Sequence, residues 1–271
     1  MQDTRIGFIG AGNMASSIIG GLINRGHAAS LISASDLDTE KLGALAARTG
    51  LSAADSETIA RTADVIVLAV KPQVMSAVCT ALASSLEERR PLIVSIAAGI
   101  TLAALERWFG SDAALVRCMP NTPALVGSGA SGLFANARVD GTQRDIADQL
   151  LGAVGLSVWV EKESDIDSVT ALSGSGPAYF FLMMEAMQES AVKLGLSTEL
   201  AKALTYQTAL GAAQLALASD EETAQLRRNV TSPNGTTERA INHFEDGGLR
   251  QLVDGALQAA HARSVELAGE V

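Results

Sequence analysis

Runs of consecutive apolar residues recur through the first part of the chain. The clearest are residues 4–10, 30–35, 63–70, 91–98 and 114–121. A strand buried on both faces is apolar at nearly every position, so these runs predict central strands of a sheet. Helical patterns separate them at 13–25 and 37–49, and strands that alternate with helices predict a parallel sheet. We expect 130–136 and 156–161, with a helix between them, to extend it.

The pattern changes after about Ser164. Residues 177–196, 198–219 and 248–269 read as helices, and the first two are rich in Ala, Leu and Met around much of their circumference. A helix that is apolar nearly all round is normally buried. We therefore predict an α/β domain over 1–163 and an all-helical domain over 164–271, with its apolar helices buried between subunits.

Composition narrows the class of protein. The formal net charge of −10 argues against a nucleic-acid binder, whose surface would be basic. No apolar run is long enough for a transmembrane helix, and the N-terminus lacks the order of a signal peptide, so we expect a soluble, cytoplasmic protein with no membrane partner. Cys79 and Cys118 have no CxxC motif or nearby His, which predicts small buried hydrophobes rather than a disulfide or metal site.

A glycine-rich turn follows the first predicted strand. Gly10, Gly12 and Ala15 form a G-x-G-x-x-A pattern that opens the first helix. Gly10 permits the tight turn, Gly12 lets the backbone approach a pyrophosphate, and Ala15 allows close packing of helix on strand. The free N–H groups at the helix start favour phosphate. The pattern predicts a Rossmann-type dinucleotide site.

The stretch after the second strand leaves the choice of nucleotide open. Ser33 and Ser35 are able to hydrogen-bond a 2′-phosphate, whereas Asp36 would repel it if it pointed inward. An acidic residue here favours NAD and a nearby Arg favours NADP, but residues 33–38 contain no Arg. The residues alone are therefore compatible with both NADPH and NADH.

Other predicted strands also end in loops that would face the nucleotide. Lys71 is either a catalytic acid or, as we favour, a loop residue that closes over the cofactor and is fixed by Pro72, because proton transfer usually recruits His or a tuned carboxylate. Asn121 lies in a proline-stiffened loop facing the nicotinamide, where it either orients a substrate or caps the turn.

The three histidines do not suggest a catalytic base. His27, His243 and His261 stand in no Ser/His/Asp arrangement, and the chain carries no H-E-x-x-H or comparable metal motif. We therefore expect chemistry without a metal or a histidine base. Hydride transfer from a nicotinamide to an already electrophilic carbon fits, because the cofactor carries the difficult step.

Six strings together resemble the pyrroline-5-carboxylate reductase family over essentially the whole chain. They are GFIGAGNMA (7–15), AVKPQ (69–73), AAG (97–99), MPNTPALVG (119–127), LSGSGPAYFF (172–181) and NVTSPNGTTERAI (229–241). The last two are specific to the family. The resemblance implies reduction of 1-pyrroline-5-carboxylate to L-proline, with NADPH as the expected cofactor and NADH as the alternative. It also implies a homodimer with interlocking helical domains, and dimers that commonly assemble into rings.

The resemblance also assigns site residues. Thr237 would hydrogen-bond the ring nitrogen of the substrate and is the expected catalytic residue, while N–H groups of the turn would hold the substrate carboxylate. The expected substrate-binding residues are Ser232, Gly235, Thr236, Thr237, Glu163 and Val230. The expected cofactor-binding residues are Gly10, Gly12, Asn13, Met14, Ser33, Ser35, Asp55, Ala69, Val70, Lys71, Pro72, Ala97, Gly99, Asn121 and Asn229. Asp55 replaces an Asn that some relatives carry near the adenine ribose, which weakens the expectation of a 2′-phosphate.

Two alternatives remain. The 3-hydroxyacid and 6-phosphogluconate-type dehydrogenases share this layout but carry a catalytic Lys on the first helix of the second domain, and residues 166–192 contain none. A nucleotide-binding regulatory protein without turnover would keep the glycine turn but would not need TSPNGTTERA (231–240).

Overall fold

The computed structural model describes Met1, Asp3–Leu86 and Arg89–Glu270. Within these residues, eight strands form one sheet in the order β3-β2-β1-β4-β5-β6-β7-β8. The strands are β1 Ile6–Ile9, β2 Ile32–Ser35, β3 Ser52–Ala53, β4 Val65–Leu68, β5 Leu92–Ser95, β6 Ala114–Met119, β7 Gly129–Ala135 and β8 Gly155–Trp159. All pairs are parallel except β6 with β7. The predicted α/β fold is confirmed.

Helices alternate with the strands and then continue alone. They are α1 Asn13–Asn24, α2 Thr39–Thr49, α3 Ser56–Thr62, α4 Pro72–Leu82, α5 Leu102–Phe109, α6 Gly141–Gly152, α7 Asp165–Val169, α8 Gly176–Lys193, α9 Thr198–Ala218, α10 Thr223–Asn229, α11 Thr236–Asp246 and α12 Leu249–Gly269. No sequence pattern predicts β3 or α3. A strand of two residues and a helix of seven are too short to show a period.

The sheet has a hydrophobic core on each face. On β4, Val65 and Val67 pack into one core, while Ile66 and Leu68 pack into the other. Successive side chains of a strand point to opposite faces. Burial on both faces is therefore the reason this run is apolar at every position.

Two packing units divide the chain. Met1–Ser175 forms the first with the C-terminal residues from Ala260 onward, and Gly176–Ala259 forms the second. Helix α12 contributes its beginning to the second unit and its end to the first. Such units reflect packing, so the domain boundary at 163/164 stays a prediction.

The second unit exposes large apolar side chains. Phe180, Phe181, Leu194 and Leu217 of α8, α9 and the turn between them are more than 60% exposed. Large apolar side chains exposed in this way are typical of helices that pack against another protein. No described helix has the length and hydropathy required to span a bilayer.

Candidate functional site: two open helix N-termini

The glycine turn after β1 passes directly against the end of β4. Gly10 has φ +100°, and a Cβ there would lie 2.7 Å from the carbonyl oxygen of Ala69, so only glycine fits. At Gly12 a Cβ would meet nothing within 4 Å. The first glycine therefore shapes the turn, and the second leaves open space at the start of α1.

The start of α1 presents unused hydrogen-bond donors. Its N-cap, Gly12, has no side chain to cap the helix, and its first turn contains no acidic residue. Among the described residues, no partner accepts from the N–H groups of Asn13, Met14 or Ala15. Free N–H groups and the positive end of the helix dipole favour an anion at this place.

Asp36 places a fixed negative charge beside this turn. Its Oδ2 accepts a hydrogen bond from the N–H of Ala11 at 2.7 Å, and its Oδ1 accepts one from Asp38 at 3.0 Å. Partial burial would raise the pKa of Asp36, but these bonds and the charge of Lys41 outweigh it and lower the pKa. A carboxylate here suits ribose hydroxyls better than a 2′-phosphate. The sequence showed the residue but not that it bonds the glycine turn.

Two other residues expected near the adenine ribose, Ser35 and Asp55, are engaged within the protein. Ser35 ends β2, and its Oγ lies 2.9 Å from Oγ of Ser56. Ser33 lies two residues earlier, roughly 7 Å from that end of the strand. Asp55 is the N-cap of α3, and the N–H and hydroxyl of Thr58 donate to its carboxylate and lower its pKa. Cofactor contacts by these residues stay predictions.

The loops after β4 and β5 lie at the same edge of the sheet. Ala69 continues the ladder by donating to the carbonyl of Ile9 at 2.8 Å. Half-buried Val70 follows, then exposed Lys71 as the N-cap of α4 with Pro72 at its first position. Proline is well suited to that position, because the first N–H of a helix has no intrahelical acceptor.

The loop after β5 contains Ala97 and Gly99, both expected at the cofactor. Gly99 has φ +77°, and a Cβ there would lie 3.4 Å from Cβ and O of Leu267. Ala97 is buried. The end of α12 therefore contacts this loop directly.

Asn121, after β6, is a buried structural amide. Its Nδ2 donates to the carbonyl of Ser173 at 3.0 Å, and its Oδ1 accepts from the N–H of Ala130 at 2.8 Å. These bonds join three segments of the first unit. They were not among the roles considered from sequence, and a cofactor contact by Asn121 stays a prediction.

Glu163 also belongs to the first unit. Its Oε1 accepts from Nη1 of Arg117 at 3.0 Å and from the N–H of Leu102 at 2.8 Å. Sequence reasoning did not single out Arg117, because a lone Arg inside an apolar strand carries no motif. One oxygen of Glu163 is thus engaged, and its substrate contact stays a prediction.

In the second unit, Asn229 ends α10 with both sides of its amide bonded. Its Oδ1 accepts from Nε2 of Gln225 at 2.7 Å, and its Nδ2 donates to Oε2 of Glu221 at 2.7 Å. Val230 follows and is exposed. The expected nicotinamide contacts of Asn229 and Val230 stay predictions.

The turn at 231–235 leads into a second open helix N-terminus. Asn234 has φ +62°, and its N–H donates to Oε2 of Glu238 at 2.8 Å. The N–H of Gly235 donates to the carbonyl of Ser232 at 3.0 Å, which removes Gly235 from the expected free donors. Helix α11 begins at Thr236 without a side-chain cap.

Free donors remain at this second N-terminus. Among the described residues, no acceptor is bonded to the N–H groups of Ser232, Thr236 or Thr237. The hydroxyl of Thr237 makes no hydrogen bond there either. The turn can therefore hold an anion beside a hydroxyl group.

The cysteines behave as predicted. Cys79 and Cys118 are both free and buried. Burial raises the pKa of Cys79 to about 12 and raises that of Cys118 as well, so neither is a reactive thiolate at neutral pH. The described residues contain no group of His, Cys, Asp and Glu suited to a metal ion.

Comparisons with known proteins extend this picture. Residues 163–267 match a family model described as pyrroline-5-carboxylate reductase dimerisation, and residues 5–99 match one described as NADP oxidoreductase, coenzyme F420-dependent. A curated pyrroline-5-carboxylate reductase from Pseudomonas aeruginosa is 56% identical over 272 residues, covering 100% of this chain and 99% of the relative. The chain belongs to the pyrroline-5-carboxylate reductase family.

Solved reductases of the same family share the fold. The structure from Coxiella burnetii is 47% identical with a TM-score of 0.95, covering 98% of this chain and 99% of that one. The structure from Plasmodium falciparum, which has NADP bound, is 32% identical with a TM-score of 0.87 and covers 99% of both chains. The likeness therefore includes both packing units.

Proposed function

We propose that this protein reduces 1-pyrroline-5-carboxylate to L-proline with hydride from NADPH or NADH, the final step of proline biosynthesis. The observation that carries the proposal is the uncapped start of α11, where free N–H groups stand beside the hydroxyl of Thr237. A reductase acting on a carboxylated cyclic imine needs the N–H donors and the hydroxyl at one place. The reaction also needs a site for a dinucleotide, and the first unit offers one.

The cofactor fits the first unit. Gly10 and Gly12 leave a turn that side chains would fill or strain, and the N–H groups at the start of α1 would hold the pyrophosphate. A bound nicotinamide supplies the hydride. Open parallel sheets bind ligands at the edge where their strands have their carboxyl ends. At that edge lie Ala69, Val70, Lys71, Pro72, Ala97 and Gly99.

The substrate would be held by the turn before α11. N–H groups of Ser232, Thr236 and Thr237 would bind its carboxylate, and the hydroxyl of Thr237 would hydrogen-bond its ring nitrogen. Hydride adds to the C=N carbon of the protonated imine, and the π electron pair moves to a nitrogen that already carries its proton. The protein therefore needs no acid, and orientation supplies several kcal/mol.

We further propose an intertwined homodimer, with rings of dimers, located in the cytoplasm. The exposed apolar side chains of α8 and α9 support an assembly in which a second copy covers them. The matching family model is itself that of a dimerisation domain.

The assay is oxidation of NADPH or NADH by purified protein, followed by nicotinamide absorbance. We expect oxidation only after 1-pyrroline-5-carboxylate is added. Running NADPH and NADH in parallel gives the cofactor preference. Binding of NADPH without oxidation in the presence of the imine would contradict the proposal and favour a regulatory protein. Reduction of NADP⁺ by a 3-hydroxyacid or 6-phosphogluconate, with no imine reduction, would favour the dehydrogenase alternative.

A further inference from the structure

A buried charged cluster joins Glu163 to Arg117, Asp167 and Ser264, three residues to which the proposed function gives no role. Arg117, on β6, is 3% exposed. Its Nη1 lies 3.0 Å from Oε1 of Glu163, and its Nη2 lies 3.5 Å from Oδ1 of Asp167. Oγ of Ser264, near the end of α12, donates to Oδ1 of Asp167 at 2.7 Å. Buried charges are costly unless they are paired and hydrogen-bonded, so each of these contacts constrains the others.

This buried cluster fixes the start of α5. Oε1 of Glu163, besides pairing with Arg117, accepts from the N–H of Leu102 at 2.8 Å. Thr101 caps the same helix, with its Oγ1 accepting from Ala104 at 3.1 Å. Leu102 lies three residues after Gly99. The cluster therefore anchors one end of the loop that contains Ala97 and Gly99.

The end of α12 also contacts the middle of that loop. Leu267 lies 3.4 Å from the place where a Cβ on Gly99 would be. Ser264 and Leu267 are three positions apart on one helix, so they share a face. Ser264 acts on the loop through Asp167, Arg117 and Glu163, whereas Leu267 contacts the loop directly.

We propose that Ser264 and Leu267 are positioning residues for the dinucleotide site. The end of α12 holds the Ala97–Gly99 loop in the shape that receives the cofactor. Loss of the Ser264 hydroxyl leaves the buried carboxylate of Asp167 without that donor, and the pairing of Arg117 with Glu163 then readjusts. The inference rests on the proposed function, because it takes Ala97 and Gly99 as cofactor contacts.

The experiment measures the Kd for NADPH of the full-length protein by fluorescence titration. We expect Ser264→Ala and Leu267→Ala each to weaken NADPH binding at least threefold. For Leu267→Ala, the KM for the imine at saturating NADPH should stay within twofold of the wild-type value, because Leu267 contacts the loop directly and not through Glu163. A matched control is Arg263→Ala, whose partners Glu266 and Glu270 are exposed. Its Kd should not change.

Thermal melting of the same variants separates positioning from simple stabilisation. Lower Tm with an unchanged Kd in both variants would overturn the inference, as would an equal loss of affinity in Arg263→Ala. Should Ser264→Ala fail to fold, Leu267→Ala decides the matter through the direct contact. Wild-type protein that binds NADPH but does not reduce the imine would overturn the proposed function and still allow the Kd comparison. If Ser264→Ala and Leu267→Ala have the wild-type Kd for NADPH and turnover is normal, the inference is overturned and the proposed function stands.

Discussion

The start of α1 and the start of α11 share an uncapped glycine N-cap, but only α1 is packed into a core. Each helix has a glycine N-cap with no side-chain cap, and each presents N–H groups without a partner among the described residues. Four residues of α1 are buried, whereas α11 has none. The chain thus packs one face of α1 into its core but leaves α11 and the proposed substrate turn exposed. We therefore expect a second copy of the chain to enclose the proposed substrate turn.

The substitution with the largest expected effect is in the first turn. We predict that Gly12→Val weakens NADPH binding about 100-fold, roughly 2.7 kcal/mol. A Cβ at this position would meet no protein atom within 4 Å, so we expect the added side chain to occupy ligand space without straining the fold. Titration with NADPH checks the affinity, and an unchanged Tm is the control. A variant that binds NADPH normally would remove the dinucleotide from this turn.

The next effect breaks the second turn. We predict that Thr237→Ala lowers kcat/KM for the imine at least tenfold, roughly 1.4 kcal/mol, while the Kd for NADPH stays unchanged. Thr236→Ala is the matched control, since it keeps the backbone N–H and loses only a neighbouring hydroxyl, and its effect should be below threefold. Steady-state kinetics at saturating NADPH measures both. Wild-type kcat and KM in Thr237→Ala would refute its role.

A smaller effect sharpens the account of the first turn. Asp36→Asn keeps an oxygen that can accept from Ala11 but loses the charge, so we expect kcat/KM for NADPH relative to NADH to rise about fivefold. Asp38→Asn, at the N-cap of α2, is the control and should leave the ratio unchanged. If the ratio for Asp36→Asn equals that of the wild type, the carboxylate does not set cofactor preference.

The smallest effect concerns the far ends of the two helices. His27, just after α1, is buried, and its Nε2 has no partner among the described residues. Burial lowers the pKa of His27 from the usual 6.5, although a hydrogen bond with the backbone of Thr4 opposes the shift. The folded state thus disfavours the protonated ring. The stability contribution is complete above pH 6.5 and declines as the pH falls through the lower folded pKa.

Denaturant unfolding at several pH values below 6.5 tests this point. His27→Gln should flatten the fall in the free energy of unfolding with decreasing pH. The exposed His243, in the last turn of α11, offers the control His243→Gln, which should keep the wild-type slope. Identical slopes in wild type and His27→Gln would exclude His27 as the source.

The two turns also differ in how far sequence predicts them. The geometry at Gly10 and Gly12 follows from local spacing, so the sequence was sufficient to predict the glycine turn. The bond from Ala11 to Asp36 spans 25 residues and that from Ser264 to Asp167 spans 97. Such pairs depend on tertiary packing and leave no local pattern. At α11 the family resemblance predicted that N–H groups of the turn hold a carboxylate. It did not predict that the N–H of Gly235 is used inside the turn or that Glu238 reaches back to Asn234.

The central claim is that the turn before α11 binds a carboxylate beside the reacting ring. Its most direct test is the ratio of kcat/KM for 1-pyrroline-5-carboxylate to that for 1-pyrroline, the same ring without the carboxylate. Hydrogen bonds to a charged group contribute roughly 1.5–3 kcal/mol each, so two of them predict a ratio of about 100 or more. Equal values for the two imines would contradict the account.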